Sequence, residues 1–378
     1  MHRLQFHYTL SRDSSPALVR NPLIDLLQAV STQGSISAGA RALGLSYRHV
    51  WGELKRWEAE LGNELVVWEK GQSARLTEFG SKLMWAERQA QARLAPQIDA
   101  LRAELERSFA VAFDDTAHVV TLYASHDDAL SALREHALQQ AHGDGQLHLD
   151  IRFTGSVDAI RALNEGRCVM AGFHTLQGTG PDTLTERTYK SLLQPGQHKI
   201  IGFALRTQGL MVAKGNPLRL GTLSDIATHR ARFANRALGT GTRVVLDELL
   251  AQAGLTGRDI EGYSHTEPSH AAVAHAVAAG QADAGLGIEV AANRAGLDFV
   301  PLAQERYHLV CLKSALVQPG IQALLQLLQT PAWQDEVARI PGYAPTQSGQ
   351  VLSMRGVLPW WNFRQQKERV YTNASPHI

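Results

Sequence analysis

The stretch Gly34-Ser35-Ile36-Ser37-Ala38-Gly39-Ala40-Arg41-Ala42-Leu43-Gly44-Leu45-Ser46-Tyr47-Arg48-His49-Val50-Trp51-Gly52-Glu53-Leu54-Lys55 limits what this chain can fold into more than any other. Its spacing reads as two helices joined by a tight turn. Gly39 and Ala40 are small where the first helix would pass under the second. Gly44 supplies the turn, where a positive φ costs glycine little. Leu43, Leu45, Val50 and Leu54 recur at the spacing of a buried stripe. Ser46, Tyr47, Arg48, Trp51, Gly52 and Lys55 are left facing outward on the second helix. Such polar, aromatic and cationic tips suit the major groove of DNA. An ordinary helical hairpin is the plainer alternative.

The flanks extend the pattern. A strand is expected over Leu4 to Ser11. Pro22 fits the first turn of a helix carrying Leu23, Ile24, Leu26, Leu27 and Val30. The second helix of the pair should run to about Leu61. Leu65 to Lys70 and Ala74 to Thr77 then read as two short strands around the polar turn Gly71-Gln72-Ser73, the wing of a winged helix. Lys70 and Arg75 near that turn suit backbone phosphates, although a solvated hairpin would look the same. With Ser35, Ser46, Tyr47, Arg48, Trp51 and Lys55 they make the candidate DNA-binding set. From Thr77 a long helix is expected to about Phe109, with Leu83, Ala86, Ala90, Leu94, Ile98, Leu101 and Leu105 forming a narrow seam. That seam suits the same helix of a second subunit, giving a homodimer or a tetramer, or else docks on its own domain. Pro96 should kink or interrupt the helix.

Composition adds bounds. A chain of 378 residues has room for two or three domains. The net charge of +1 and the near-balance of the first eighty residues weigh mildly against DNA, because phosphate contacts normally show as excess Lys and Arg. Cys168 and Cys311 are too few for a disulfide framework or a zinc site. Sixteen histidines invite a metal, but none are paired at ligand spacing on one helix face, so no metal site is expected. The first residues have no signal-peptide core and no apolar run approaches membrane length, so a cytoplasmic chain without membrane contact is expected.

The residues Gly34-Ser35-Ile36-Ser37, Ala40, Leu43 to Tyr47, Trp51, Leu65-Val66 and Ala74 to Gly80 resemble the N-terminal domain of ModE-type molybdate-responsive regulators. The broader LysR-type winged helices look similar. The resemblance covers roughly residues 20 to 110. The glycine-rich wing tip usual in ModE-type proteins is shortened here to Lys70-Gly71-Gln72-Ser73.

After Asp114-Asp115 strands and helices alternate. His118 to Ala124, Leu147 to Phe153 and Val169 to Phe173 (ending at His174) read as strands. Helices open at Ser125-His126-Asp127-Asp128 and Thr154-Gly155-Ser156-Val157-Asp158. This order implies a parallel, doubly wound sheet with ligands at the carboxyl ends of its strands. A second lobe begins near Gly202. In it Phe233-Ala234-Asn235-Arg236 leads through Gly239-Thr240-Gly241-Thr242 into a helix reaching Ala253, Ser269 starts another helix, and Ala282 to Gly287 reads as strand and turn. Asp298 to Leu302 and Arg306 to Leu312 look like two strands returning to the first lobe. Gln318 to Gln329 is helical, and from about Leu358 the end should be loose.

This half resembles the type II periplasmic binding proteins, especially their molybdate and tungstate branch, over about residues 118 to 345. The carrying residues are Ser125-His126-Asp127, Gly155-Ser156-Val157, Asn235-Arg236, Gly239 to Thr242 and Ala282 to Gly285. The resemblance implies that Ser125, Ser156, Arg236, Thr240 and Thr242 contact an oxyanion. Chemistry agrees: helix N-termini favour anions, hydroxyls donate without bulk, Gly155, Gly239 and Gly241 admit the backbone, and Arg236 offers a guanidinium fork. Each hydroxyl could equally be a plain cap, and Arg236 a salt bridge. His126 and His174 could donate if protonated, whereas Asp127 would repel an anion unless it points away. Ser125-His126-Asp127 holds the residue types of a hydrolytic triad, but consecutive residues cannot hydrogen-bond in series, so no enzyme is expected.

The expected fold is multi-domain α+β and α/β. It comprises a winged helix-turn-helix over residues 1–80, a linker and dimerisation helix over 81–112, and a two-lobed binding domain over 113–350, followed by a tail over 351–378. Lobe I takes about 118–200 and 300–345, lobe II about 202–298. The expected function is a transcription regulator binding a double-stranded DNA operator and sensing a small oxyanion, molybdate or tungstate first, through Ser125, His126, Gly155, Ser156, Arg236, Thr240, Gly241 and Thr242. No covalent cofactor is expected. The alternatives are a carboxylate such as formate, a molybdenum cofactor derivative, or an oxyanion-storage protein with no DNA role.

Overall fold

A computed structural model of the chain describes residues 21–67, 74–113, 118–140, 147–178, 180–358 and 360–361. The expected strand over Leu4 to Ser11, the wing turn with Lys70, and everything beyond Trp361 lie outside the described residues. Two compact units emerge, Met1–Ala95 and Pro96–Ile378.

The first unit opens with α1 (Pro22–Gln33), α2 (Ile36–Ala42) and α3 (Tyr47–Leu61). The strands β1 (Val66–Val67) and β2 (Arg75–Leu76) pair antiparallel, Val66 opposite Leu76. Leu23, Ile24, Leu26, Leu27 and Val30 of α1 pack with Ile36, Ala40, Val50, Leu54 and Leu65 in one core. Two expectations are corrected. Leu43 and Leu45 are 38% and 39% exposed rather than part of that stripe, because they sit on the connection between α2 and α3, outside the helical period that Val50 and Leu54 keep. The close approach at Gly39 is to α1, not α3: a Cβ there would stand 3.1 Å from the Ala29 and Val30 backbone. Gly44 does take the left-handed conformation, φ 68°.

The long helix α4 (Glu78–Phe113) runs unbroken past Pro96 and beyond its expected end. Pro96 gives no N–H to the helical ladder, yet strong helix formers on both sides, Gln91 to Leu94 before it and Gln97, Ala100 and Leu101 after it, favour continuing the helix. The boundary between the two units falls at this proline. On the seam Ala86, Ala90, Leu94, Leu101 and Leu105 are exposed, Leu101 to 59%, whereas Leu83 and Ile98 are half-buried.

The second unit continues with β3 (His118–Ala124), α5 (Asp128–Gln139), β4 (Leu147–Phe153), α6 (Ser156–Asn164), β5 (Met170–Leu176) and α7 (Leu184–Tyr189). Next come β6 (His198–Val212), α8 (Leu223–Thr228), β7 (Phe233–Arg236), α9 (Gly241–Gln252), β8 (Thr266–Glu267), α10 (His270–Ala278), β9 (Ala284–Ile288) and α11 (Glu289–Arg294). The chain closes with β10 (Asp298–Leu312), α12 (Pro319–Gln329), α13 (Pro331–Ala338), β11 (Tyr343–Pro345), β12 (Val351–Leu352) and α14 (Met354–Val357).

The strand order is β4-β3-β5-β10-β6-β9-β7-β8, with β11 and β12 also on β6. Pairing is parallel inside each lobe (β3 with β4 and β5; β7 with β8 and β9) and antiparallel along β10 and β6. The sheet is therefore mixed, not parallel throughout, because two long strands cross between the lobes. β10 is one strand of 15 residues where two were expected. Register shifts between Pro301 and Ala303 and between Tyr307 and His308 let it continue past a proline that donates no ladder bond. His174 lies inside β5 rather than at its end. Only the start of the expected loose end falls among the described residues, and there the expectation is corrected: Leu358 and Trp360 are buried in one apolar cluster with Ile160, Tyr189 and Val244.

Candidate functional site

In the first unit the expected DNA-facing residues divide by what their atoms already do. Ser35 and Ser46 cap α2 and α3, their hydroxyl oxygens accepting from the Ala38 and His49 N–H groups at 3.1 Å. Arg48 and Arg75 are exposed. Tyr47 is 49% exposed and stacks on Trp51 with ring centroids 6.3 Å apart. Trp51 is half-buried against the core, so part of its ring is structural. Lys55 Nζ sits 5.0 Å from the Trp51 ring centroid and 2.6 Å from Glu58 Oε2. Glu58 also accepts from the Leu65 and Val66 N–H groups at 2.8 and 3.3 Å, which ties the first wing strand to α3. Gly80 admits the Leu65 carbonyl, 2.3 Å from where a Cβ would be.

In the second unit helix starts from both lobes meet. Ser125 Oγ lies 3.3 Å from Ser156 Oγ at the start of α6. A Cβ on Gly155 would stand 2.8 Å from the Gly239 carbonyl oxygen, and one on Gly241 2.5 Å from His174 Nδ1. Thr242 Oγ1 is 3.3 Å from His270 Nε2, at the first residue of α10, and accepts from Gln208 Nε2 at 3.3 Å. Thr240 caps α9: its oxygen accepts from the Arg243 N–H and its hydroxyl donates to the Ala237 carbonyl at 2.8 Å.

Among these groups lies Arg236, only 2% exposed. Its Nη2 donates to the Pro268 carbonyl at 3.1 Å, while Nε and Nη1 meet no partner among the described residues. Burial, and then the charge of Arg206, push its pKa down to about 9. Asp127 and Glu305 lie close enough to attract this buried cation, but neither hydrogen-bonds it among the described residues.

Asp127 is engaged elsewhere. Its carboxylate accepts from Arg206, from Tyr343 Oη at 2.7 Å and from the Ala129 N–H at 2.8 Å. Arg206 also binds Glu305, and Gln208 Nε2 donates to Glu305 at 2.8 Å. The repulsion expected of Asp127 is thus answered by Arg206, a residue that strand periodicity alone did not single out. His126 turns to Asp99 of α4, Nε2 to Oδ2 3.6 Å, and packs on Phe153. Burial, together with the charges of Arg206 and Arg236, holds His174 and His270 well below the usual imidazole range, so both are neutral near pH 7. Arg206, Gln208, Glu305 and His270 were missed. The available clue was the polar alternation Arg206-Thr207-Gln208 inside the apolar run of β6.

Residues 137–329, about half the chain, match the family model described as "PBP superfamily domain". The chain belongs to the PBP superfamily. Residues 23–81 of this superfamily member match the model "Bacterial regulatory helix-turn-helix protein, lysR family". The chain therefore joins a LysR-type helix-turn-helix domain to a PBP-like domain. It is 31% identical over 201 residues to the uncharacterized protein YvgK of Bacillus subtilis (strain 168), covering 53% of this chain and 64% of that one. A Clostridium pasteurianum protein, uncharacterized and from the ferredoxin 2Fe-2S gene 5' region, is 32% identical over 111 residues, which are 29% of this chain and 98% of that one. Among solved structures, a Corynebacterium glutamicum OxyR C206 mutant covers 84% of this chain and 94% of its own length at 16% identity and TM-score 0.42. ArgP from Mycobacterium tuberculosis covers 82% and 96% at 22% identity and TM-score 0.37. No helix among the described residues is long and apolar enough to cross a membrane.

Proposed function

We propose that this PBP superfamily member regulates transcription by binding an operator through α3 and the wing, and that its two-lobed unit senses a small oxyanion, molybdate or tungstate first. One observation carries the effector reading: a buried Arg236 guanidinium with Nε and Nη1 unpartnered among the described residues, set where the starts of α6, α9 and α10 meet. An anion there would take charge-assisted hydrogen bonds from the fork and neutral donors from Ser125, Ser156 and His270. The near contacts of Gly155 with Gly239 and of Gly241 with His174 favour a compact ligand over a bulky one. Formate would use the same fork, whereas a molybdenum cofactor derivative would have to hold the lobes further apart.

Lobe closure on the anion would alter how two winged helices present themselves to half-sites, with the exposed seam of α4 pairing subunits. Isothermal titration of the full chain with molybdate, tungstate, sulfate and formate tests the effector. Binding of at least one, lost in Arg236→Met, is expected, and heat from none of the four would sink the reading. Gel shift with DNA upstream of the coding region separates the regulator from an oxyanion store without a DNA role.

A further inference from the structure

The turn Ser125-His126-Asp127 faces three ways. Ser125 meets Ser156 at the anion cleft. Asp127 is locked to Arg206 of the crossover strand β6 and to Tyr343 of β11, which pairs with β6. His126, between them, reaches Asp99, which belongs to the part of α4 inside the second unit. Asp99 is held from α5 as well: Arg134, 4% exposed, donates from Nη1 to the Asp99 carbonyl at 3.3 Å and has Nη2 4.0 Å from its carboxylate. Arg134 and Arg102 of α4 share Glu135, at 3.6 and 3.2 Å. Arg134, Arg102, Glu135 and Asp99 thus form a charged cluster between α4 and α5, and His126, the residue beside Ser125, touches it at Asp99.

We propose that the His126–Asp99 contact transmits the state of the anion cleft to the linker helix. The inference rests on reading the Arg236 cleft as the effector site. An anion that takes Ser125 Oγ from Ser156 would act on the turn that carries it and, on this proposal, shift it. Asp127 is fixed by three partners on one side, so the displacement falls on His126 and through it on Asp99. His126 and Asp99 are thus positioning residues for the output and not ligand contacts. Such coupling needs an element whose arrangement both ends bias, and the turn supplies it.

Hydrogen exchange of residues 97–109 in the full-length chain tests this in two arms. In the first, exchange is compared with and without molybdate or tungstate as probe. In the second, ligand-free arm, Arg236→Met is compared with the native chain. Each change is then repeated in Asp99→Ala, with anion affinity followed by titration. The proposal expects either perturbation to alter protection of the helix about fivefold or more with Asp99 present, and less than about twofold with Asp99→Ala, at unchanged anion affinity. Equal responses with and without Asp99 overturn it, as does no response of the helix to Arg236→Met. If the native chain binds neither anion, the molybdate and tungstate reading fails, while the ligand-free arm still decides the coupling. Asp99→Asn, which keeps size and hydrogen bonding, should fall between the two and guards against misfolding of Asp99→Ala.

Discussion

The two regions proposed to carry the function are built in opposite ways. Around α3 the polar groups are exposed or satisfied within a few residues: Ser46 caps its own helix, Lys55 pairs with Glu58, and Arg48 stands in solvent. Around Arg236 the polar groups are buried and depend on partners from distant strands, and Arg236 keeps two nitrogens unpartnered among the described residues. The first region can meet a large ligand of fixed shape without rearranging. The second holds charge that becomes favourable only when a small anion arrives.

That contrast predicts unequal responses to substitution. Arg236→Met should weaken binding of any anion the native chain takes by about thirtyfold or more, since truncating one partner of a buried charge pair costs about 2–5 kcal/mol; titration calorimetry reads it. The same variant should leave unliganded stability nearly unchanged or higher, because it removes a buried cation beside Arg206. A large loss of stability would place Arg236 among structural residues and break the comparison.

Gly80→Ala probes the other region from inside. A Cβ 2.3 Å from the Leu65 carbonyl must push β1 from α4 and should cost about 1–3 kcal/mol. Thermal unfolding should show the loss, with anion binding preserved. Acid sharpens the difference further. His174, His270 and His308 have folded pKa values below the unfolded one, that of His308 down to about 3. Below about pH 6.5 the unfolded chain therefore binds protons the folded chain refuses, and stability falls as pH falls, by up to about 1.4 kcal/mol per pH unit for each histidine. Chemical denaturation between pH 7 and 5 should show this slope in the second unit. Replacing His270 by Gln should reduce it. Arg48→Ala should give the smallest effect, weakening DNA binding by about tenfold at fixed salt and lowering the salt slope by about one if its contact is to phosphate.

How much could be read from residues follows from the same contrast. The helix pair, its caps Ser35 and Ser46, and the wing strands come from one contiguous stretch whose period survives folding. Leu43 and Leu45 were misread because a stripe rule was carried through a turn that the period does not cross. In the cleft, Ser125, Ser156, Thr240 and Thr242 are visible as helix starts, and Arg236 as the end of a strand. Arg206, Gln208 and Glu305 are not, because they lie mid-strand on the two crossovers, where a polar residue looks like ordinary alternation until the partner strand is known. The burial of Trp360 was hidden for a related reason: a short apolar pair after a polar stretch gives no sign of the groove that receives it.

The account stands or falls on whether an anion in the Arg236 cleft changes DNA binding. Fluorescence anisotropy of labelled DNA upstream of the coding region, titrated with the full-length chain at constant ionic strength with and without molybdate or tungstate, tests this most directly. A shift in DNA affinity of about fivefold or more in the native chain, absent from Arg236→Met, is the predicted result. Identical binding curves with and without anion in the native chain, or an equal shift in Arg236→Met, would contradict it.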